Sequence, residues 1–314
     1  MAVTLEAVAT PENFEESGYL AANPDVAEAV RKGQFQSGWQ HFEGHGRKES
    51  RLVRFPHSIA DIQQEKLSRI APLLRADLPH VRRGAKYDFL TDKLRAETGI
   101  AETSAISAHG YDTYAQDLIA ACGDGVVLDC GAGKRPVYYP NVVNFEIVDY
   151  ETTDVLGVGE ELPFRENAFD AVLSLSVLEH VRDPFACAAE IARVLKPGGK
   201  LICCVPFLQP LHGYPHHYYN MTGQGLRALF ERRLTIDKQI VPRSTLPLYS
   251  LTWFVQSWAR ALRGSARGEF LSMRVSDLLK QPAELAERRW VTELPEGANF
   301  ELASATMLFA HKET

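Results

Sequence analysis

Five cysteines in 314 residues, none in a Cys-x-x-Cys spacing, leave little material for a metal ribbon or a dithiol centre. They are Cys122, Cys130, Cys187, Cys203 and Cys204, and buried free thiols in a reducing compartment suit them best. No apolar run approaches the roughly 20 residues that a membrane-spanning helix needs. An excess of basic charge is also missing: 34 Lys and Arg against 40 Asp and Glu give a formal net charge of −6. That balance argues against a general affinity for nucleic acid or an anionic membrane. The opening Met1-Ala-Val-Thr-Leu-Glu has neither the basic start nor the long apolar segment of a secretion signal, so a cytoplasmic location is expected.

What is present has ordinary globular proportions, 45% hydrophobic and 24% charged. Residues 1–51 read as a small helical module. Pro11-Glu-Asn-Phe-Glu-Glu opens a first helix, Asn23-Pro-Asp restarts a second that stops at Gly33, and a third carries Trp39, His41 and Phe42. His41 and His45 are spaced as two metal ligands on one helical face would be. No third ligand accompanies them in the pattern, and packing or a partner contact is favoured. Residues 52–122, with helical patterning over Ile59–Leu74, Tyr87–Leu94 and Tyr111–Ala121, read as a helical linker or cover.

From Val126 the pattern becomes strand, turn, helix and strand in alternation, the mark of a parallel α/β sheet. The expected strands are Val126–Asp129, Val142–Ile147, Asp154–Val158, Ala171–Leu175 and Lys200–Val205, with a last one over Leu302–His311. Phe185–Leu195 has the apolar spacing of a helix and is closed by Lys196-Pro-Gly-Gly. The insertion at about 242–298, with Tyr249, Trp253, Phe254, Trp258 and Trp290, is too long for a bare loop. It should be helical or a functional cover.

Leu128-Asp-Cys-Gly-Ala-Gly, Glu161-Leu-Pro-Phe, Phe169-Asp-Ala-Val-Leu-Ser, Val177-Leu-Glu-His-Val, Asp183-Pro and Arg193-Val-Leu-Lys-Pro-Gly-Gly follow in that order. Together they resemble the class I S-adenosylmethionine-dependent methyltransferases, in the branch that includes small-molecule C- and O-methylating enzymes. The front of the chain, through Tyr19-Leu-Ala-Ala-Asn-Pro-Asp-Val and Gly46-Arg-Lys-Glu-Ser-Arg, is similar to a short helical module attached to varied bacterial enzymes and surface proteins. The first resemblance implies an α/β, Rossmann-like doubly wound sheet in a domain over 123–314, with an N-terminal helical extension and a long insertion before the last strand. It also implies S-adenosyl-L-methionine as cofactor and S-adenosyl-L-homocysteine as product.

Each matching position acquires an expected role from that resemblance. Gly131, Ala132 and Gly133 would place backbone against the amino-acid part of the cofactor, with Asp129 anchoring the turn or the ammonium group. An acid ending the second strand would accept both ribose hydroxyls, since a carboxylate has two acceptor oxygens. Glu146 and Asp149 are both candidates, and the strand's end favours Glu146. Gly159, Glu160 and Ser174 complete the expected cofactor set. Two positions depart from the family pattern. Val158 stands where an acid often meets the adenine amine, which leaves that contact to Glu160 or to backbone. Lys134 replaces a small residue, its ammonium either solvated, which is favoured, or near the cofactor carboxylate.

Methyl transfer from a sulfonium is an in-line displacement, and a hydroxyl acceptor also needs a base, for which imidazole is matched near neutral pH. The candidate catalytic residues are His180, just past the fourth strand, and His212, His216 and His217, past the fifth. Tyr214, Tyr218, Tyr219 and Asn220 are the candidate acceptor-binding residues. This loop resembles the acceptor side of methyltransferases associated with bacterial polysaccharide genes, and its rings and amides suit a polyhydroxylated molecule. Zinc through His212, His216 and His217 is the metal arrangement the loop offers, since hard ions prefer carboxylates and the loop has none. No metal is expected. The favoured function is O-methylation of a small-molecule or glycan-like acceptor. The alternatives are a C- or N-methyltransferase of a quinone or natural product, and a non-catalytic scaffold that meets a protein partner through the N-terminal module.

Overall fold

A computed structural model describes residues 2–99, 108–213 and 216–304. The chain divides into two compact units, Met1–Val177 with Asp183–Cys204, and Leu178–Arg182 with Val205–Thr314. Among the described residues no helix is long and apolar enough to cross a membrane.

The first unit opens on two strands that the sequence pattern does not announce, β1 (Val3–Thr4) and β2 (Glu6–Val8), and β2 pairs antiparallel with β3 (Leu52–Arg54). Between them lie helices Glu16–Ala22, Pro24–Arg31 and Gly38–His41, the last continuing as a π-helical turn over Phe42–Gly46. Local chemistry starts each one. The Glu15 carboxylate accepts from the Ser17 and Gly18 N–H groups, Pro24 pre-sets the first turn of the second helix, and Ser37 Oγ accepts from Gln40 N–H. Tyr19, Val26, Phe42 and Val53 form their core with Phe14 and Trp39 around it. His41 is buried in it, its Nδ1 3.0 Å from the Tyr19 hydroxyl, and burial lowers its pKa.

The main sheet adds β4 (Val81–Arg83), β5 (Lys86–Asp88), β6 (Val127–Cys130), β8 (Val142–Glu146), β9 (Val155–Leu156), β10 (Phe169–Leu175) and β11 (Leu195–Cys204). The short β7 (Val137–Tyr138) pairs instead with β1. The order is β11-β10-β6-β8-β9-β5-β4, parallel throughout except for the β4–β5 hairpin. Every residue of β6 and β8 is buried, as parallel strands covered on both faces should be. Helix Thr113–Ala121, capped by Asp112, lays Ala115 and Ile119 on Val127, Val142, Ala171 and Leu173. From β6 the chain builds outward through β8 and β9 on one side and through β10 and β11 on the other. The order therefore reverses beside β6, the place where open α/β sheets bind ligands.

Two sequence expectations change here. The Tyr87–Leu94 pattern predicts a helix, whereas Lys86–Asp88 is a strand and the helix is Asp92–Thr98. The Gly84 turn (φ +57) makes β4–β5 a hairpin and β9 recruits β5 as a parallel neighbour, so sheet pairing overrides a weak local pattern. Lys196-Pro-Gly-Gly does end helix Pro184–Val194, yet those residues also begin β11. A register shift between Phe169 and Ala171 absorbs them as a bulge.

Inside this unit a charged hub links helix Ala60–Ile70 to β8. Lys66 and Asp154 are both buried, with Nζ 2.8 Å from Oδ2. The same oxygen accepts Asn144 N–H at 2.8 Å, and Oδ1 accepts the Tyr138 hydroxyl.

The second unit is helical. Pro247–Ala261, Gly264–Ser272 and Arg289–Thr292 bury Ala259, Leu262, Ala266, Phe270, Trp290 and Leu294 together. Trp258 stacks on Phe270 at 5.8 Å, and its indole N–H donates to the Trp290 carbonyl at 2.8 Å. The insertion is thus a helical body with its own core. The expected strand over Leu302–His311 meets a different start: Leu302 caps helix Glu296–Glu301, and residues 305–311 lie outside the described residues.

Candidate active site

In the first unit the site begins where β6 ends. Gly131 and Gly133 take left-handed backbone, φ +81 and +62, which side chains disfavour. The turn folds over β8: the Gly131 and Ala132 N–H groups both donate to the Phe145 carbonyl, at 2.9 and 3.0 Å. A Cβ on Gly131 would stand 2.4 Å from a Val177 methyl, so this turn has room for hydrogen alone. Asp129, fully buried, accepts from Arg135 Nε at 2.8 Å and from the Tyr111 hydroxyl at 2.5 Å, both through Oδ2. Its Oδ1 has no partner among the described residues. A buried carboxylate oxygen beside a tight glycine turn fits a ligand that brings a donor, as an ammonium group does.

Sequence reasoning misses Arg135 and Tyr111. Arg135 is buried, donates to the His109 carbonyl at 2.9 Å and lies over the Tyr111 ring at 4.2 Å. Nothing in the pattern sets a buried arginine apart from a surface one. Burial comes from the closing of the turn.

The two ribose candidates separate clearly. Glu146 is buried at the end of β8, its Oε2 accepting Gly133 N–H at 2.7 Å and its Oε1 accepting Ile147 and Val148 N–H at 2.8 and 3.3 Å. Burial raises its pKa, against the pull of those three donors. Asp149 is half exposed and pairs with Lys86 at 2.5 Å. Lys134 is not simply solvated: its ammonium meets Glu6 at 2.6 Å, a correction to the favoured reading of that residue. Its cause is the N-terminal strand β2, which brings a carboxylate alongside.

Ser174 is buried on β10, its hydroxyl unpartnered among the described residues. Gly159 and Glu160 form a half-buried turn after β9, and Glu160 accepts Asp183 N–H at 3.4 Å. Beside that turn a cavity of about 230 Å³ opens between Gly157 and Val158 on one side and Phe89, Thr91 and Leu94 on the other. Val158 belongs to an apolar cluster with Leu90 and Leu156.

In the second unit, Leu178–Arg182 and the loop after Val205 bring His180, His212 and His217 together. Ring centroids are 5.2 Å apart for His180 and His212, 5.6 Å for His180 and His217, and 4.2 Å for His212 and His217. Backbone fixes their tautomers. His180 Nδ1 donates to the His216 carbonyl and His212 Nδ1 to the Pro210 carbonyl, both at 2.8 Å, which leaves each Nε2 with its lone pair. Burial lowers the pKa of both rings, which favours the neutral imidazole. His217 is spent on the loop itself: Nδ1 accepts His212 N–H at 3.1 Å and Nε2 lies 3.1 Å from Asn220 Oδ1.

The other candidates of that loop divide. Asn220 donates to the Gln209 carbonyl and the Tyr219 hydroxyl to the Arg182 carbonyl, both at 2.9 Å. Tyr218 is exposed, with the His216 ring 5.1 Å away. Tyr214 lies outside the described residues. Glu179, adjacent to His180, is fully buried, neither oxygen has a hydrogen-bond partner among the described residues, and burial pushes its pKa up to about 8.

Residues 121–203 match the family model described as a methyltransferase domain. The chain is 42% identical over 114 residues to the demethylmenaquinone methyltransferase of Renibacterium salmoninarum, covering 36% of this chain and 42% of that protein. It is 39% identical over 139 residues to the ubiquinone biosynthesis O-methyltransferase of Cereibacter sphaeroides, covering 40% of this chain and 53% of that one. The chain thus spans about half or less of the length of these curated relatives. Among solved structures it is similar to the YcgJ protein of Bacillus subtilis, at 18% identity and a TM-score of 0.32, over 49% of this chain and 86% of that one. The parallel sheet with a glycine turn at its point of reversal defines a Rossmann-like α/β fold. The segment 121–203 thus carries a methyltransferase domain, of the class I S-adenosylmethionine-dependent kind.

Proposed function

We propose that this protein transfers a methyl group from S-adenosylmethionine to a hydroxyl oxygen of a small-molecule or glycan-like acceptor. The observation that carries the acceptor half of this reading is the pair of imidazoles, His180 and His212, each with Nδ1 on a backbone carbonyl and Nε2 without a hydrogen bond among the described residues. When bound, the cofactor supplies an electrophilic methyl on a sulfonium. The residues of this chain hold and orient it. Asp129 Oδ1 would accept from its ammonium group, the Gly131–Gly133 turn would lie against its amino-acid part, and Glu146 would take the ribose hydroxyls. Gly159 and Glu160, at the cavity beside Gly157, would meet the adenine, with Ser174 below. Alignment of acceptor and donor is worth on the order of 7–11 kcal/mol of barrier.

His180 and His212 would handle the proton that the acceptor hydroxyl loses. Tyr218, with Tyr219 and Asn220 shaping the loop, would contact the acceptor by ring stacking. His180→Ala is expected to lower kcat by about 10²- to 10⁴-fold, with affinity for S-adenosylhomocysteine unchanged by calorimetry. Unchanged turnover would remove the histidine from the reaction.

Glu146→Gln should weaken S-adenosylhomocysteine binding about 10- to 100-fold, because hydrogen bonds to a charged group are worth about 1.5–3 kcal/mol. Asp149→Asn, on an exposed pair, should leave affinity within about threefold. Equal losses for the two would return the ribose to an open question between them.

A second reading is favoured by the named relatives, which are quinone methyltransferases. A quinone-type acceptor methylated at carbon or oxygen would need no sugar contacts. Incubation with methyl-labelled donor and either a hydroxylated quinone or a sugar, followed by mass spectrometry and NMR of the product, tells carbon from oxygen attachment directly.

A further inference from the structure

We propose that Glu179, His180 and His212 bind one divalent transition-metal ion of the zinc, cobalt or manganese class. One donor atom from each lies within 4.8 Å of the others. His180 Nε2 stands 3.7 Å from Glu179 Oε1, too far for a hydrogen bond. It is close to the separation of about 3.4 Å that two ligands adopt at bond lengths of about 2.0–2.2 Å from a tetrahedral ion.

The surroundings are those of a built site. Glu179 is fully buried, and among the described residues neither oxygen has a hydrogen-bond partner, a costly state for a carboxyl that an ion would relieve. Both imidazoles give their Nδ1–H to backbone carbonyls, which orients the rings and reserves Nε2 as the donor, the usual support of metal-bound histidine. Gly213, at φ +87, leaves room for the His180 ring, since a Cβ there would stand 2.4 Å from Cε1. Trp253 walls the other side, 5.1 Å from the His212 ring. His217 braces the loop and is not a ligand in this arrangement.

The sequence alone points away from metal because the histidine loop has no carboxylate. The fold supplies one from the segment Leu178–Arg182. Two imidazoles and one carboxylate suit zinc, cobalt or manganese better than magnesium or calcium, and three protein ligands leave positions open. The ion's role in catalysis rests on the O-methylation reading. With the ion bound, His180 and His212 act on the acceptor proton through the metal and not as bases. The hydroxyl on an open position is acidified, its O–H bond breaks with the proton passing to solvent, and the alkoxide forms the new O–C bond as the C–S bond breaks and S-adenosylhomocysteine leaves. Ion binding itself does not depend on that reading.

The test uses full-length, tag-free protein stripped with chelator and titrated calorimetrically with zinc chloride, and with cobalt chloride read by visible absorption. One equivalent per chain is expected, with the cobalt bands of a four- or five-coordinate site. Glu179→Gln and His212→Ala should each weaken binding at least tenfold. Gly213→Ala, which keeps every donor atom but displaces the His180 ring, should do the same, whereas His45→Ala should change nothing. Absent stoichiometric binding, or binding that survives both Glu179→Gln and His212→Ala, overturns the proposal. S-adenosylhomocysteine affinity and thermal melting of the same variants report an intact fold. A protein that binds the donor but no metal leaves the methyltransferase reading standing and removes the ion. One that binds metal but no donor leaves the ion standing and removes the methyltransferase reading.

Discussion

Gly131→Ala is expected to destabilise the first unit by about 2–5 kcal/mol and to lower affinity for S-adenosylhomocysteine by two orders of magnitude or more. Two costs combine. A left-handed backbone at φ +81 costs a non-glycine residue about 1–2 kcal/mol. The added methyl would sit 2.4 and 2.6 Å from the two methyls of Val177, and overpacking of that kind costs about 1–3 kcal/mol. The turn can relieve the clash only by moving away from Val177, which disturbs the two N–H bonds to Phe145 and the Gly133 N–H bond to Glu146. A shift of that loop would therefore reach both ends of the proposed donor cradle at once. Urea denaturation and calorimetry check the two halves separately. Gly131→Ala with Val177→Ala should recover the steric part of the stability and none of the backbone part. If the single variant binds as tightly as the parent, the turn is not the cradle.

Lys66→Met should cost about 3–5 kcal/mol, the range for removing one partner of a buried ion pair. Methionine keeps most of the apolar stem but cannot pair with Asp154. The carboxylate would then face Asn144 N–H and the Tyr138 hydroxyl alone, in a place that water does not reach. A cation–π contact is lost as well, since Lys66 Nζ lies 3.6 Å from the centre of the Tyr138 ring. Burial lowers the lysine's pKa and Asp154 opposes that pull, so the ammonium depends on its partner. The midpoint of urea unfolding at pH 7 measures the loss. An exposed pair such as Lys93–Glu97 gives the contrast, with less than about 1 kcal/mol at stake. A Lys66→Met protein as stable as the parent would mean that the buried pair contributes nothing to the fold. The hub also bears on the site, because Asp154 anchors β8 at Asn144, and β8 ends at Glu146.

Much of this protein is legible from residue order. The alternation of strand and helix after Val126, the glycine turn behind Leu128 and Asp129, and the ordered motifs through Lys196-Pro-Gly-Gly identify the sheet and the donor. These signals are local. A parallel strand buried on both faces has to be apolar along its length, and a turn with left-handed backbone calls for glycine, so each leaves its mark within a few residues.

What lies beyond local pattern is decided by tertiary structure. Strand β5 exists because β9 offers it an edge, and Lys134 finds Glu6 because β2 returns alongside the turn. Arg135 and Tyr111 become partners of Asp129 only when the chain closes over β6. The histidines show the same division most clearly. Composition announces a loop rich in imidazole, but which ring nitrogen keeps a lone pair depends on a carbonyl that faces the other one. Whether a carboxylate stands beside those lone pairs depends on Glu179, 33 positions before His212, being folded against them. Residue types can be read in order along a chain. A donor set is a matter of distances and of burial, and both are created by the fold.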